Sequence, residues 1–561
     1  MRTVVPTVVD ALTADPRPDT TLTIAGIGNA PDTRLSWRQV NEGARRMATV
    51  LARQGIGPGT RVGLIGDTTA GMITALQAVW LRGAAFTILA LPGRTGRQAY
   101  LAHLAAILAD ARPGLVIADF DAADLRAGFP GAVTLSAVAA QAATAPMAEP
   151  VRPGPDDLAV LQYTSGSTSS PRGVPVTHGN LTANLDAIEA AIGAEALGPE
   201  TVWLSWLPLY HDMGLIGFLA LPMTRGCSLV LQSPLAFALR PATWLERLSR
   251  HRATSTGAPN FAYALMAQLL EAGCAADLST VRYMFSGGEP IDAAMMERFT
   301  TAAAPRGLDP GAVIAAYGLA ESTLAVSFSP IGGGVQVDEV DRESLERDGR
   351  ARQAAPGRPS RSLVRLGRAV RGTHIRILKE NGDPAGPGTV GHIEVRGPSV
   401  VAGYWGEAPR PTPWLRTGDL GYLADGGELV VCGRAKDVLF AAGRNVYPQD
   451  VEAAAAGVPG VRAGGAAAFG IPAGLGDRLA VGDRLVVAVE ARAGDEAGLR
   501  RAVALAVASQ TGMAPADVVT VRFGRLPKTS SGKLRRAETR RRYLAGELTE
   551  TQTPLVDGSV R

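Results

Sequence analysis

The regular alternation of apolar and polar segments begins near residue 60. Residues 61–91, RVGLIGDTTAGMITALQAVWLRGAAFTILAL, read as an apolar strand, a helix with apolar positions at helical spacing, and a second apolar strand. That order predicts a βαβ unit. Similar apolar runs recur at 114–120 (GLVIADF), 158–164 (LAVLQYT), 201–209 (TVWLSWLPL), 228–233 (SLVLQS) and 281–287 (VRYMFSG), with helix-like stretches between several of them. Strands alternating with helices predict α/β layering with largely parallel sheets.

Three irregular features divide this pattern. The Pro- and Ala-rich stretch 142–157 reads as a surface joint between two subdomains. The polar, Gly-rich stretch 331–361 reads as an insertion with at most one short helix, around DRESLERDG. From about residue 438 the chain changes to a smaller unit with an Ala-rich run and a basic end: residues 521–550 hold nine Lys or Arg and three Glu. No internal repeat is evident.

A length of 561 residues suggests two to four domains. With 56 basic and 52 acidic residues the net charge is +4, too small to suggest a nucleic-acid coat. Cys227, Cys274 and Cys432 are far apart, which points to neither a disulfide framework nor a zinc site. No basic start with an apolar core marks a secretion signal, and no apolar run reaches membrane-spanning length, so a cytoplasmic protein is expected. Only Lys379, Lys436, Lys528 and Lys533 are lysines, so 52 of the 56 basic residues are arginine. A lysine kept against such a bias suggests a need for a compact ammonium that a guanidinium cannot imitate.

The segment YTSGSTSSPRG (163–173) follows an apolar strand, and its small residues and hydroxyls suit a loop around phosphate oxygens, though it is not a Walker A loop. Downstream, in order, come SWLPLYHDMGL (205–215), SGGEP (286–290), AYGLAEST (316–323), WLRTGDLG (414–421), GRAKDVLFAAGRNVYPQDVE (433–452) and LPKTSSGKL (526–534). Together these resemble the adenylate-forming superfamily of acyl and aryl ligases over nearly the whole chain. Within it, LQYTSGST, WLPLYHDMGL, SPLAFALRPATWL, GAPNFAY, YGLAESTLAVS and KTSSGKLRR look most like the fatty acyl-AMP ligases.

The resemblance implies an α/β fold with a large multi-subdomain adenylate-forming domain at 1–433, a hinge at 434–437 with Lys436 at its centre, and a small mobile α+β lid domain at 438–561. It implies ATP and Mg2+ as cofactors. Glu321 would hold the metal, and Thr164, Ser165, Gly166, Ser167, Thr168 and Gly173 would cradle phosphates. Gly287, Gly288, Glu289, Tyr317, Gly318 and Ser322 would line the adenylate, and Asp419 with Arg434 would take the ribose. Lys533 would be the catalytic lysine, offsetting charge as a carboxylate meets the α-phosphate. His211 would border the acyl pocket and nucleotide, where positioning or gating is favoured over proton transfer. Adjacent residues on a strand point to opposite faces, so His211 and Asp212 are not expected to act together. Trp206, Leu209, Met213, Phe218 and Phe261 would line the acyl tunnel.

The stretch 331–361 matches the position of an insertion that fatty acyl-AMP ligases carry, held to restrain the small lobe and disfavour CoA. The expected partners are therefore a fatty or related carboxylic acid and an acyl carrier protein acting in trans. An acyl-CoA ligase is the nearest alternative, followed by an amino-acid adenylation domain and a non-catalytic nucleotide-binding homologue. Many superfamily members have lysine where this chain has Arg172. Lys528 reads as a surface residue.

Overall fold

Residues 61–65, 70–81 and 85–89 form the strand, helix and parallel strand that the sequence pattern predicts. The helix Ala70–Leu81 begins at Thr69, whose hydroxyl accepts from the Met72 N–H, and it is apolar on nearly all sides because it is buried in the core. The computed structural model describes residues 7–28, 30–91, 97–120, 129, 131–164, 171–441, 444–471, 483–492, 495–528 and 533–548. Among them no helix is long and apolar enough to cross a membrane.

The chain divides into two compact units, one of Met1–Val340, Ser360–Thr417 and Gly421–Val431, the other of Asp341–Pro359, Gly418–Leu420 and Cys432–Arg561. The first unit holds two large sheets. In the six-stranded sheet the order is 132–134, 115–118, 61–65, 85–89, 158–164 and 172–177, parallel except for the last hairpin. The nine-stranded sheet is parallel through its middle, where β1 (Val202–Ser205), β2 (Ser255–Ala258), β3 (Tyr283–Ser286) and β4 (Val313–Gly318) lie side by side.

One of these strands differs from the sequence expectation, and another is one for which the sequence pattern gives none. The apolar run 201–209 is a strand only over Val202–Ser205, because a turn at Pro208 takes the backbone out of the sheet and His211 N–H closes on the Pro208 carbonyl. The strand β2, STGA, carries no large apolar residue. A Cβ on Gly257 would meet the Phe218 ring at 2.5 Å, so the small residues admit an aromatic core in which Trp203 and Phe218 pack edge to face at 5.5 Å.

The second unit has its own three-stranded sheet, Val461–Ile471, Arg484–Ala491 and Asp517–Arg522, with the first pair antiparallel and the second parallel. Helices Pro448–Ala456 and Glu496–Thr511 bury Val451, Val503 and Val507 against it. Within the stretch 331–361 the expected short helix forms over Arg342–Asp348, and a two-stranded ladder of Val337–Asp341 with Ser360–Val364 flanks it.

One buried histidine makes the first unit acid-sensitive. His178 opens the helix His178–Ile192, is fully buried, and among the described residues has no hydrogen-bond partner on either ring nitrogen. Burial pushes its pKa down to about 4 from 6.5, against the opposing pull of Asp157 and Asp10. The folded protein therefore keeps the ring neutral where the unfolded chain takes a proton. The associated stability is complete above the unfolded pKa and is lost as pH falls from about 6.5 to about 4, a loss of about 3 kcal/mol. Urea unfolding at pH 7 and pH 4.5 should show a smaller difference for His178→Leu than for the parent. Equal differences would dismiss this origin of the acid sensitivity.

Candidate active site

Parallel pairing sends the segments that leave β1, β2, β3 and β4 out along one edge of the sheet. From β1 the chain enters 206–212, from β2 it reaches Asn260 and Phe261, from β3 it enters Gly287, Gly288 and Glu289, and from β4 it reaches Glu321. Gly287 is required by closeness: a Cβ there would lie 2.8 Å from the Ala316 carbonyl of β4. Glu289 joins two of the exits, since its carboxylate accepts from the Phe261 N–H at 3.0 Å, at the start of the helix Asn260–Glu271. Tyr317 and Gly318 end β4 beside this group.

Glu321 sits on a single helical turn, Ala320–Ser322, immediately after β4. Thr323 follows with φ of 67°, a strained conformation for a β-branched residue. Its hydroxyl donates to the Ser399 carbonyl at 2.7 Å and the Leu324 N–H closes back on the Ser322 carbonyl at 2.8 Å, which hold the reversal in place. Among the described residues the buried Ser322 hydroxyl has no hydrogen-bond partner, and neither has the Ser286 hydroxyl that ends β3.

The segment 401–410 then wraps around Glu321. Val401 N–H donates to the Glu321 carbonyl at 2.9 Å, and the Tyr404 hydroxyl donates to Glu321 Oε1 at 2.6 Å. Burial and the neighbouring Glu321 carboxylate raise the Tyr404 pKa, so the phenol keeps its proton. The Arg172 guanidinium lies 3.7 Å from the centre of the Tyr404 ring and donates to Glu407 at 2.7 Å. Trp405 N–H donates to the Gly173 carbonyl at 2.8 Å. Thr164 and Arg172 face each other across the hairpin, while Ser165, Gly166, Ser167 and Thr168 lie outside the described residues. Tyr404 and Glu407 went unread in the sequence. The aromatic pair in VAGYWGE was the available signal, but it shows no apolar periodicity and no motif spacing.

The structure corrects the reading of His211 and Asp212. They occupy a turn before the π-helix Met213–Ala220, not a strand, and there neighbouring side chains can meet: His211 Nδ1 lies 2.6 Å from Asp212 Oδ1. The same carboxylate oxygen accepts from the Met213 N–H at 2.7 Å and so caps that helix. Trp206 and Phe261 belong to one aromatic cluster, in which Trp206 stacks on Phe237 at 3.7 Å and meets Phe261 edge-on at 6.2 Å. Leu209 is buried beside the turn and Met213 opens the helix. Phe218 belongs to the separate cluster of Trp203 and Phe285 under the sheet.

The second unit carries the remaining candidates. Asp419 is buried and pairs with Arg434 Nε at 3.3 Å across neighbouring strands. Burial lowers the Lys436 pKa, with Asp437 and Asp419 pulling the other way. Lys533 precedes Leu534, which bridges to Lys528, and the Arg535 N–H donates to the Pro527 carbonyl at 2.9 Å. Lys528 itself donates to the Gly464 carbonyl at 2.8 Å, which ties the opposite arm of this loop to the sheet.

Arg536 fixes both ends of this arrangement. Its fork donates to the two oxygens of Glu452 at 2.7 Å each and to Asp437 at 3.0 Å. Burial raises the Glu452 pKa and Arg536 pulls it back down; burial likewise works against the Arg536 charge, but its hydrogen bonds to Glu452 hold the proton more tightly than usual. Arg536→Ala would leave buried carboxylates unpaired, and we expect a loss of about 3–5 kcal/mol in the stability of this unit. Hydrogen exchange across 448–456 and 533–544 is the readout, and unchanged protection would show that the fork does not hold these segments.

Residues 11–405 match the family profile described as AMP-binding enzyme. The long-chain-fatty-acid–AMP ligase FadD26 of Mycobacterium marinum is 38% identical over 69% of this chain and 69% of its own. The medium-chain-fatty-acid–[acyl-carrier-protein] ligase JamA of Moorena producens is 32% identical over 92% of this chain and 90% of its own. A solved structure from work on fatty acyl-adenylate ligases of E. coli and L. pneumophila is similar with a TM-score of 0.88 at 34% identity, covering 97% of this chain and 98% of that one.

Proposed function

The chain belongs to the AMP-binding enzymes, as a fatty acyl-AMP ligase, and from that premise we propose that it activates a fatty or related carboxylic acid with ATP and then loads a carrier protein. In the first step a carboxylate oxygen bonds to the α-phosphorus, the bond to the bridging oxygen breaks, and pyrophosphate leaves. In the second, a phosphopantetheine thiol gives its proton to solvent, its sulfur attacks the acyl carbon, the bond from that carbon to the phosphate oxygen breaks, and a thioester forms as AMP departs. No acyl-enzyme bond is needed in either step.

The observation that carries the first step is the Glu321 carboxylate at the sheet edge, with one oxygen engaged by the Tyr404 hydroxyl. Among the described residues no three His, Cys, Asp or Glu side chains cluster as a metal cage, so Mg2+ at Glu321 would complete its shell with phosphates and water. Bound there, the ion would offset phosphate charge. Two anions must meet in this reaction, so oriented cations and donors matter more than a nucleophile. In this reading the hairpin loop ending at Arg172 and Gly173 cradles the phosphates, and Gly287, Gly288 and Tyr317 flank the adenine. Asp419 accepts from the ribose hydroxyls, Arg434 steadies it, and His211, held by Asp212, positions the acyl end. Lys533 supplies the ammonium, and Lys436 sits at the hinge. Trp206, Leu209, Met213 and Phe261 border the acyl chain, while Phe218 supports them from the core.

The acceptor reading rests on residues 341–359. They interrupt the sequence of the first unit but pack within the second, where Glu346, 4% exposed, pairs with Arg444 at 3.0 Å and Arg444 also donates to the Gly512 carbonyl. An insertion held in this way favours the restrained lobe expected of an enzyme that loads carrier protein in place of CoA. JamA is named for such an acceptor.

Intact-mass analysis with ATP, Mg2+ and a panel of carboxylic acids should yield acyl-carrier protein in tubes holding phosphopantetheinylated carrier and no acyl-CoA in tubes holding CoA. Abundant acyl-CoA would overturn the acceptor assignment. Lys533→Ala should lower adenylate formation by about 100-fold or more. Transfer from supplied acyl-AMP should survive in that variant, and parent-like adenylate formation would remove Lys533 from the first step.

A further inference from the structure

The contacts around Glu321 form a chain that the adenylation reading does not itself require. A metal-ligating carboxylate can rotate about its last bond, and a neighbouring donor that holds one oxygen decides where the other points. Tyr404 is such a donor, with its hydroxyl 2.6 Å from Glu321 Oε1. Its ring is held in turn: Arg172 lies against one face at 3.7 Å and is fixed by Glu407 at 2.7 Å, while the next residue, Trp405, bonds its backbone to Gly173. A planar, delocalised guanidinium can stack on a ring and donate in its plane at once, which a lysine ammonium cannot.

We propose that Tyr404 is a positioning residue that presents Glu321 to a divalent cation, and that Arg172 is the clamp that keeps Tyr404 in place. The inference rests on the reading of Glu321 as the cation-binding carboxylate. It also gives a reason for arginine at 172: the foot of the phosphate hairpin and the orientation of Glu321 share one side-chain stack, so the two are set together.

The test uses the full-length protein with ATP present and Mn2+ as probe, with protein-bound metal read from the loss of the free Mn2+ electron-paramagnetic-resonance signal beyond that caused by the same ATP without protein. Tyr404→Phe keeps the ring and its stacking on Arg172 but removes the hydroxyl, and should weaken Mn2+ binding by about 10-fold. Its melting temperature should stay close to that of the parent. Glu321→Gln should weaken binding at least as much. If Glu321→Gln binds Mn2+ like the parent, the cation reading of Glu321 fails and takes this proposal with it. If Glu321→Gln loses affinity and Tyr404→Phe keeps it, the positioning role alone is overturned. Should Tyr404→Phe fail to fold, Arg172→Gln leaves the hydroxyl in place and removes the clamp. Its Mn2+ affinity should fall severalfold, and parent-like affinity would overturn the proposal.

Discussion

The first unit depends on parallel pairing of four neighbouring strands. A parallel ladder obliges every strand to leave the sheet at the same edge, so residues distant in sequence arrive together without any long-range recognition of their own. His211, Phe261, Glu289 and Glu321 reach one edge for this reason. The arrangement is only as good as its spacing, and two glycines set that spacing. Gly257 lets the Phe218 ring lie under β2, and Gly287 lets the exit of β3 pass the backbone of β4. A side chain at either position would push strands or aromatic core apart.

The two units hold the Glu452 and Glu321 carboxylates in different ways. In the second unit Glu452 is neutralised by a guanidinium fork, which stabilises folded structure and leaves nothing for a ligand. In the first, Glu321 is held by a phenol, which supplies a hydrogen bond and no charge. A hydroxyl donor satisfies one carboxylate oxygen by a hydrogen bond, without forming an ion pair. The difference in partner is that between an ion pair and a hydrogen bond to a hydroxyl. Beside Glu321, Thr323 keeps a positive φ, and the surrounding bonds hold a backbone that would relax elsewhere.

Much of this was legible in the sequence where side-chain pattern and local geometry coincide. The βαβ unit at 61–89 announces itself through apolar runs at strand and helix periods. The candidate residues announced themselves through motifs resembling one enzyme family. The failures have physical causes. The strand STGA is small because its neighbours are large, and no property of four small residues reveals a Phe218 ring supplied from elsewhere. His211 and Asp212 were read on a strand, but Pro208 starts a turn in which adjacent side chains meet. The 401–410 segment has no secondary structure, so its value lies wholly in tertiary contacts to Glu321, Arg172 and Gly173.

Residues 341–359 have a consequence for how the molecule can be divided. The order of the chain suggests two beads on a string, separable by one cut near residue 433, but the packing is interleaved. A fragment ending there would keep Leu345, fully buried in the intact protein, and Glu346 without its Arg444 partner. An apolar side chain and an uncompensated charge would be bared together, so the shortened chain would be a sticky remnant and not a free-standing module. Evolution by domain shuffling meets the same obstacle: a new small lobe grafted at that cut would have to carry its own seat for a helix it does not encode.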